Sequence, residues 1–298
     1  METRVRIFLD RYVKLGEKVP QQVSLTQTLR VNTLRIEEDK LVKRLESLGV
    51  KLQKIPWLKH GYIAESAKFS LGAITEALLG YYYLQEAAAQ APVEVLDPKC
   101  EELVLDCCAA PGGKTTQIAQ HMENKGSLIV LEKKSHRLPS LRNNLERMGV
   151  SNAAVYHMDS LKAEKLGLKF DKILLDAPCA GNYATDPEWF DKRMLDDIKH
   201  SAEFQRELLK TAISVLKPGG VLVYSTCSLE PEENELNMHW LLENNPGLVL
   251  EPVIAGQGDP GLTDVFGQRL HPSIANCRRF WPHKTNTEGF FIAKVRRR

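Results

Sequence analysis

The sequence lacks long hydrophobic runs. No stretch of its 298 residues approaches the roughly 18 consecutive apolar residues that a membrane-spanning helix requires. The first residues, Met-Glu-Thr-Arg-Val-Arg, are not followed by an apolar segment with a small-residue cleavage site, so no secretion signal is predicted. We therefore expect a cytoplasmic protein without a membrane partner.

The cysteine and histidine spacings of a structural metal site are also missing. The chain has no Cys-x-x-Cys pair and no His-x-x-x-His pair, so no metal site is predicted. A disulfide framework is unusual in a cytosolic chain of this size. Each thiol is therefore either inert packing or chemically active. The six cysteines are Cys100, Cys107, Cys108, Cys179, Cys227 and Cys277.

Charge of one sign is not in large excess. Forty Lys and Arg residues offset 38 Asp and Glu residues, and the formal net charge is +2. The overall field therefore does not indicate a nucleic-acid-binding protein, and only local basic clusters remain. The arginines at 296–298 are the best candidates for phosphate contacts. Trp281, which follows Arg278 and Arg279, is expected either to stack on a nucleic-acid base or to belong to the core.

Strands and helices are predicted to alternate from about residue 92 onward. The strands are short apolar runs without polar alternation, which is typical of strands covered on both faces. This pattern predicts an α/β fold with a doubly wound, Rossmann-like parallel sheet, closed by antiparallel edge strands at 248–250 and 290–295. The predicted strands are 103–107, 128–131, 154–157, 172–175 and 221–224, and the predicted helices are 114–122, 138–148, 200–216 and 232–243.

The residues before this change of rhythm are predicted to form a smaller α/β unit. Strands are expected at 29–34, 50–55 and 61–64, with helices at 37–48 and 71–79. The chain is thus divided into residues 1–91 and residues 92–298.

Ligands of doubly wound sheets bind where the strands end, so the residues after each strand are informative. The first strand is followed by Asp106-Cys-Cys-Ala-Ala-Pro-Gly-Gly-Lys-Thr-Thr116, whose small residues allow a ligand to approach the backbone. Neither Gly-x-Gly-x-x-Gly nor the Walker A spacing is present, which excludes the usual nicotinamide and phosphate loops. Glu132 and Asp159 follow the next two strands and are placed to bind a ribose and an adenine edge. These positions predict an adenosyl pocket without phosphate contacts.

Two cysteines follow further strands at the same edge. Cys179 stands in Asp176-Ala-Pro-Cys, and Cys227 stands in Ser225-Thr-Cys-Ser. A single cysteine is most often a buried, inert residue. Two cysteines at strand ends, each beside turn-forming residues, instead indicate reactive thiols.

These segments resemble the Sun/RsmB (Fmu) family of RNA 5-methylcytosine methyltransferases. The resemblance is carried by Cys-Ala-Ala-Pro-Gly-Gly-Lys at 108–114, Asp-Ala-Pro-Cys at 176–179 and Ser-Thr-Cys-Ser-Leu-Glu-Pro-Glu-Glu-Asn-Glu at 225–235. It extends to Arg-Val-Asn-Thr-Leu-Arg at 30–35, Arg-Phe-Trp-Pro-His at 279–283 and Glu-Gly-Phe-Phe at 288–291, and so covers nearly the whole chain. It implies methyl transfer from S-adenosylmethionine to cytosine in RNA.

The resemblance also implies how the cofactor would be held. Glu132 would bind the ribose, Asp159 would lie near the adenine, and Arg137 would help to shape the pocket. Asp176 would face both the cofactor and the target base. The residues implied to hold the methionine part are Cys108, Ala109, Ala110, Pro111, Gly112, Gly113 and Lys114.

For the reaction itself, the resemblance implies that Cys227 is the nucleophile and that Cys179 assists in releasing the product. A thiolate that adds to carbon 6 of cytosine makes carbon 5 nucleophilic, which is covalent catalysis. Asp176 in its protonated form would bind nitrogen 3. The family usually has serine after the Pro-Cys cysteine, whereas this chain has Ala180, so the details of its base pocket differ.

Other functions stay open from the residues alone. An enzyme that methylates an exocyclic amine often carries Asn/Asp-Pro-Pro-Tyr/Phe after the fourth strand, and this chain has Asp-Ala-Pro-Cys. A non-catalytic RNA-binding protein would be expected to lose the cofactor loop or Cys227, and both are present. The resemblance implies that residues 1–91 are an RNA-binding subdomain. Transfer RNA is favoured as the substrate, with ribosomal RNA as the alternative.

Overall fold

A small antiparallel sheet and three helices form the N-terminal part of the molecule. The computed structural model describes the chain from Glu2 to Arg298, with side chains from Val5 onward. In chain order the elements are α1 (Glu2–Lys14), β1 (Thr28–Val31), α2 (Glu38–Ser47), β2 (Lys51–Lys54), β3 (Gly61–Glu65), α3 (Thr75–Leu78) and β4 (Tyr82–Leu84). The strand order is β2-β3-β1-β4, and all pairs are antiparallel.

The rest of the chain builds one large sheet with helices on both faces. Its helices are α4 (Ala87–Leu96), α5 (Gly113–His121), α6 (Leu138–Met148), α7 (Trp189–Lys192), α8 (Leu195–Val215), α9 (Glu235–Asn244) and α10 (Pro282–Thr285). Its strands are β5 (Leu103–Asp106), β6 (Ser127–Glu132), β7 (Ala153–His157), β8 (Phe170–Asp176), β9 (Leu216–Thr226), β10 (Leu248–Glu251), β11 (Asp259–Pro260), β14 (Arg278–Phe280) and β15 (Phe290–Arg297), and β12 (Asp264–Val265) and β13 (Gln268–Arg269) form a separate hairpin. Three short 3₁₀ helices occupy Ser135–Arg137, Ser160–Leu166 and Pro272–Asn276.

The order of the strands creates a ligand-binding edge. The sheet runs β11-β14-β15-β9-β8-β5-β6-β7, with β10 also paired to β15. The five strands from β9 to β7 are parallel, and β15, β14, β11 and β10 are antiparallel additions. After β5 the chain first builds outward to β6 and β7 and then returns to the other side with β8 and β9. Ligands of such sheets bind at the carboxyl ends of the strands beside this reversal.

Both faces of the sheet are buried, which explains the strands' uninterrupted apolar character. Leu105 and Ile173 belong to the core on one face, and their neighbours Val104 and Leu174 belong to the core on the other. Successive side chains of a strand point to opposite faces, so every position must be apolar when helices cover both.

Most predicted elements match the structure, including the helix predicted at about 138–148, but three expectations are wrong. The segment 71–79 forms a helix only at Thr75–Leu78, because turns at 71–74 precede it. Helix α8 begins five residues before the predicted start, since Asp196 and Asp197 in its first turn favour a helix N-terminus. Strand β15 is antiparallel as expected but is not an edge strand, because β14 and β11 extend the sheet beyond it.

The N-terminal sheet is joined to the large sheet by buried polar side chains. The Arg30 guanidinium donates to Thr116 Oγ1 at 2.8 Å, to Gln85 Oε1 at 3.0 Å and to Gln120. Asn32 Nδ2 donates to the carbonyl oxygens of Gly80 and Met148, each at 2.8 Å. Two residues of the 30–35 motif therefore hold the two parts of the molecule together.

The expected division between residues 91 and 92 falls inside α4. This helix begins after Glu86, whose carboxylate accepts the backbone N–H of Ala88 at 2.6 Å and of Ala89 at 3.3 Å. Such side-chain capping satisfies backbone donors that the first turn leaves free. Residues on both sides of the expected division therefore belong to one continuous helix. The division of the chain into functional units remains a prediction.

Candidate active site

Three loops that follow β5, β8 and β9 meet at one edge of the sheet. Strands β8 and β9 are parallel neighbours, with Asp176 paired in register with Ser225. Cys179 lies three residues after Asp176, and Cys227 lies two residues after Ser225. Because Asp176 and Ser225 are paired, both cysteines lie just beyond the ends of the same two strands. The two candidate thiols are therefore brought together by the pairing of β8 with β9.

The sulfur atoms of Cys179 and Cys227 are in contact. Their Sγ atoms lie 2.8 Å apart, and both residues are free thiols. Asn182 fixes the backbone beside them, because its Nδ2 donates to the Cys227 carbonyl at 2.7 Å and to the Gly289 carbonyl at 3.0 Å. One thiol at this site can therefore exchange a proton directly with the other.

Asp176 lies beside these thiols and is paired with Lys114. Lys114 Nζ donates to Asp176 Oδ2 at 2.8 Å, and Ser225 Oγ donates to Asp176 Oδ1 at 2.7 Å. Burial alone would lower the pKa of Lys114, but the adjacent Asp176 carboxylate raises it. Lys114 Nζ also lies 5.1 Å from the centre of the Phe290 ring. Both oxygens of Asp176 thus accept hydrogen bonds, one from the charged Lys114 and one from the Ser225 hydroxyl.

The loop at 108–114 is shaped by one glycine conformation and one buried carboxylate. Gly112 has a φ of 108°, which favours glycine, and it immediately precedes α5. Asp106 accepts a hydrogen bond from Thr115 Oγ1 at 2.7 Å and is 1% exposed. Burial raises the pKa of Asp106 to about 7, and the nearby charge of Asp176 adds to the increase. A titratable carboxyl therefore lies beside the loop. Sequence reasoning missed its role, although Asp106 ends β5 just as Glu132 ends β6.

A first cavity lies against the ends of β5, β6 and β7. Its empty space, which includes open solvent, is about 720 Å³. Glu132 Oε1 accepts the N–H of Lys134 at 2.7 Å, and its Oε2 accepts the N–H of Ala110 at 3.3 Å. Arg137 donates to the Ala110 carbonyl and lies 3.6 Å from Glu132. The cavity is lined by Cys107, Cys108, Glu132, Lys133, Lys134, Arg137, Asp159, Ser160, Pro178, Phe204 and Leu208.

Asp159 lies on this cavity but is already paired. Lys133 Nζ is 2.7 Å from Asp159 Oδ2, and the N–H of Leu161 donates to Oδ1 at 3.1 Å. Partial burial opposes ionisation, but these hydrogen bonds outweigh it and lower the pKa of Asp159. Asp159 is thus a carboxylate acceptor on the lining of the cavity, and its contact with an adenine stays a prediction.

A second cavity adjoins the first and shares Cys108 with it; its empty space, which includes open solvent, is about 520 Å³. Its lining includes most of the 108–114 loop together with Asp106 and Asp176. Tyr83 of β4, Gln85 and Ala89 of α4 also line it. Sequence reasoning missed these three residues, since no local pattern shows that the segment from β4 to α4 lies against the loop.

The lining of the two cavities suits the chemical groups of S-adenosylmethionine. The first offers Glu132 and Asp159 as acceptors for hydroxyl and amino groups, beside the Phe204 ring. The second offers small residues and the carboxyl groups of Asp106 and Asp176, which suit a positively charged sulfonium. These donors and acceptors match a zwitterionic nucleoside without phosphates.

Comparison with known proteins assigns the family. The model of 16S rRNA methyltransferase RsmB/F matches residues 93–296, and the model of the N-terminal domain of 16S rRNA methyltransferase RsmF matches residues 8–87. The chain belongs to the RsmB/F methyltransferase family. The resemblance inferred from the sequence motifs is therefore confirmed.

Relatives of this RsmB/F protein modify more than one class of RNA. It is 39% identical over 289 residues to the mouse 28S rRNA (cytosine-C(5))-methyltransferase, covering 95% of this chain and 36% of the relative. It is 36% identical to the tRNA (cytosine(72)-C(5))-methyltransferase of Pyrococcus horikoshii, covering 97% of this chain and 68% of the relative. It is 38% identical to ribosomal RNA small subunit methyltransferase F of Escherichia coli, covering 93% and 58%. The chain thus spans about a third of the mouse relative and more than half of the other two.

Solved structures confirm the fold of the RsmB/F chain. A methyltransferase homologue from Pyrococcus horikoshii superposes with a TM-score of 0.87 at 42% identity, covering 98% of this chain and 95% of the other. NSun6 from the same organism, bound with the S-adenosylmethionine analogue SFG, superposes with a TM-score of 0.82 at 30% identity, covering 97% and 93%. The Rossmann-like methyltransferase sheet predicted from the sequence is therefore confirmed.

Other sequence candidates lie away from the site. Trp281 is 1% exposed and belongs to the core, which excludes the alternative of base stacking. Arg296 pairs with Glu251 and Arg297 donates to the Leu216 carbonyl at 2.6 Å. Arg296 also lies opposite Val221, about 20 Å along β9 from Cys227. The terminal arginines at 296 and 297 therefore bind their own chain, far from the thiols.

Proposed function

We propose that this RsmB/F protein methylates carbon 5 of cytosine in RNA, using S-adenosylmethionine and Cys227 as the nucleophile. The observation that carries the proposal is the contact between Cys179 and Cys227 beside the Asp176–Lys114 pair. A nucleophile, a proton partner and a charged pair are the groups that this covalent reaction needs. The relatives named as RNA (cytosine-C5)-methyltransferases support it.

The cofactor would occupy the two adjoining cavities. Glu132 would hold the ribose hydroxyls and Asp159 the adenine edge, with Arg137 fixing the loop through the Ala110 carbonyl. The 108–114 loop would hold the methionine part. When bound, S-adenosylmethionine supplies an electrophilic methyl group on a positively charged sulfur.

In the first step Cys227 would add to the base. Its sulfur forms a bond to carbon 6, and the electrons of the carbon 5–carbon 6 double bond make carbon 5 nucleophilic. Lys114 is the charged donor bound to Asp176, and this pair would deliver a proton to nitrogen 3 as negative charge develops there. Asp176 would act as a protonated donor only after receiving that proton from Lys114, since both its oxygens accept hydrogen bonds. Carbon 5 then accepts the methyl group.

In the second step the product would be released by elimination. The proton on carbon 5 leaves to water, the carbon 5–carbon 6 double bond re-forms, and the bond from carbon 6 to Cys227 breaks with its electrons remaining on sulfur. The proton on nitrogen 3 returns to the Asp176–Lys114 pair. The Cys179 thiol is 2.8 Å from that sulfur and would protonate it as it leaves.

The substrate would be a cytosine in a loop or flipped out of a helix, because carbon 6 is inaccessible in a stacked base. We propose tRNA as the first substrate to test and rRNA as the alternative. The tRNA enzyme is the named relative of which this chain covers 68%, against 36% and 58% for the rRNA enzymes. Residues 1–91 would provide an RNA-binding subdomain, and the cytoplasm is the proposed location.

The deciding experiment is methyl transfer from labelled S-adenosylmethionine to unmodified tRNA and rRNA transcripts, followed by nucleoside identification. The proposal expects labelled 5-methylcytosine with the native protein and none with Cys227→Ala. A different methylated nucleoside would overturn the cytosine reaction. Label in rRNA alone would reject tRNA as the substrate.

A further inference from the structure

Glu233 lies buried between the two segments that carry the thiols. Its Oε1 accepts a hydrogen bond from Ser228 Oγ at 2.7 Å, and its Oε2 accepts the N–H of Ala180 at 3.2 Å. Ser228 directly follows Cys227, and Ala180 directly follows Cys179. A single carboxylate, 0% exposed, therefore ties both loops together.

A second buried side chain fixes the orientation of this carboxylate. Gln205 Nε2 donates to Glu233 Oε2 at 2.6 Å and to the Pro178 carbonyl at 2.9 Å. Gln205 Oε1 accepts from Tyr224 at 3.0 Å and from Asn237 at 3.0 Å, so its amide cannot turn without losing both. The Glu233 carboxylate thus accepts hydrogen bonds from Ser228, Ala180 and Gln205, which fix its position.

We propose that Glu233 is a positioning residue that keeps Cys179 a protonated thiol beside Cys227, and thereby decides which of the two sulfurs attacks the base. The inference rests on the proposed function. Glu233 binds the N–H of the residue that follows Cys179, and a fixed negative charge near a partly buried thiol disfavours a second negative charge there. The family usually has serine at position 180. Because this chain has alanine there, residue 180 donates to Glu233 only through its backbone N–H.

Electrostatics support this assignment. The hydrogen bond with Cys227, burial and the charges of Cys227 and Glu233 raise the pKa of Cys179 well above its ordinary value. Burial also raises the pKa of Glu233 to about 7, although its donors oppose that increase. The carboxylate therefore exists mainly above neutral pH, where a thiolate at Cys179 would otherwise compete.

The two sulfurs would then have distinct tasks. A protonated Cys179 cannot add to carbon 6, so Cys227 attacks alone. The same proton is available when the bond from carbon 6 to Cys227 breaks, since Cys179 can transfer it over 2.8 Å to the departing sulfur. Glu233 touches neither the base nor the cofactor cavities and acts only through the thiols.

The test is the pH dependence of cysteine alkylation in the reduced, full-length protein. Iodoacetamide would be applied between pH 6 and 10, and each cysteine peptide quantified by mass spectrometry. Below the midpoint the rate rises with the thiolate fraction, so the displacement of the rate–pH curve along the pH axis gives the change in midpoint between two variants. Glu233→Gln is expected to lower the midpoint for Cys179 by about one pH unit and to speed its alkylation at pH 8 about tenfold. Buried Cys277 serves as the internal reference.

Glu232→Gln is the matched control. Glu232 is the adjacent carboxylate, but it binds Arg11 at 2.6 Å. Its variant is expected to keep the native midpoint for Cys179. With RNA, Glu233→Gln is expected to lower kcat at least tenfold with little change in KM, because it disturbs the thiols and not the RNA surface.

An unchanged midpoint for Cys179 in Glu233→Gln, or an equal shift in Glu232→Gln, would overturn the assignment. If Glu233→Gln fails to fold, Glu233→Asp decides, because it retains the charge. Its midpoint is then expected to stay near the native value, and a fall by about one unit would reject the role of the charge. Alkylation needs neither RNA nor cofactor, so this result is independent of whether 5-methylcytosine is formed.

Discussion

The Sγ atoms of Cys179 and Cys227 lie 2.8 Å apart, although 48 residues separate them in the chain. The contact arises because β8 and β9 pair in parallel with Asp176 opposite Ser225. The two thiols are therefore close enough for a proton to pass directly between them.

The two cysteine variants are expected to fail in different ways. Cys227→Ala should abolish methyl transfer without trapping RNA, because no bond to carbon 6 forms. Cys179→Ala should accumulate a covalent protein–RNA adduct, because release loses its proton partner. Denaturing gel electrophoresis with labelled RNA measures the adduct. An adduct with Cys227→Ala and none with Cys179→Ala would reverse the two roles.

Replacing Arg30 is expected to destabilise the joint between the two sheets. Arg30→Met leaves Gln85, Gln120 and Thr116 without their buried donor, and we expect the free energy of unfolding to fall by about 3 kcal/mol. The control is the exposed Arg35, which donates to a backbone carbonyl. Arg35→Met should change the free energy of unfolding by less than about 0.5 kcal/mol. Urea unfolding gives both values, and equal losses would contradict a special role for Arg30.

Cofactor binding is expected to strengthen as the pH rises through 7. Burial raises the pKa of Asp106 to about 7, and the ionised form attracts the sulfonium charge. Isothermal titration should show a Kd for S-adenosylmethionine that falls up to about tenfold between pH 6 and 8. S-adenosylhomocysteine lacks that charge and should show a flat profile, as should both ligands with Asp106→Asn. A pH-dependent profile that survives in Asp106→Asn would reject this origin.

The same carboxyl should make stability depend on pH. Because the folded-state pKa of Asp106 is above its ordinary value near 4, folding binds a proton between pH 4 and 7. The stability that this provides is complete below pH 4 and is lost as the pH rises to about 7. Between pH 4 and 7 the free energy of unfolding should therefore decrease less in Asp106→Asn than in the native protein. An equal dependence of this free energy on pH in the two proteins would argue against a raised pKa of Asp106.

Gly80 is expected to tolerate no side chain. Its φ is 71°, and a Cβ there would lie 2.0 Å from the carbonyl oxygen of Arg147, in helix α6. Gly219 has a similar φ of 77° but open space around it. Gly219→Ala should cost about 1 kcal/mol from the backbone conformation alone, whereas Gly80→Ala should cost several times as much. Thermal unfolding of the two variants makes the comparison, and similar costs would show that the contact with α6 is easily relieved.

The residue types and spacing within a segment predicted its structure correctly where contacts inside the segment determine that structure. The helix predicted at about 138–148 is observed at Leu138–Met148, where its apolar residues are regularly spaced and Gly149 ends it in a left-handed conformation. The prediction of a helix over 71–79 was wrong, because the chain at 71–74 forms turns. The apolar side chains of these turns pack against the small sheet, where Leu71 is 1% exposed. Tertiary packing overrides helical periodicity in so short a segment.

The sequence by itself determined the family, the alternating order of the large sheet and the strand ends that carry the candidate residues, because these depend on residue type and spacing along the chain. Only the tertiary structure decided that Tyr83 and Gln85 line the cofactor cavity, that Lys114 pairs with Asp176 and that Glu233 ties the two cysteine loops together. Such contacts join residues distant in the chain, and strand register and helix packing, which no local pattern records, set their distances.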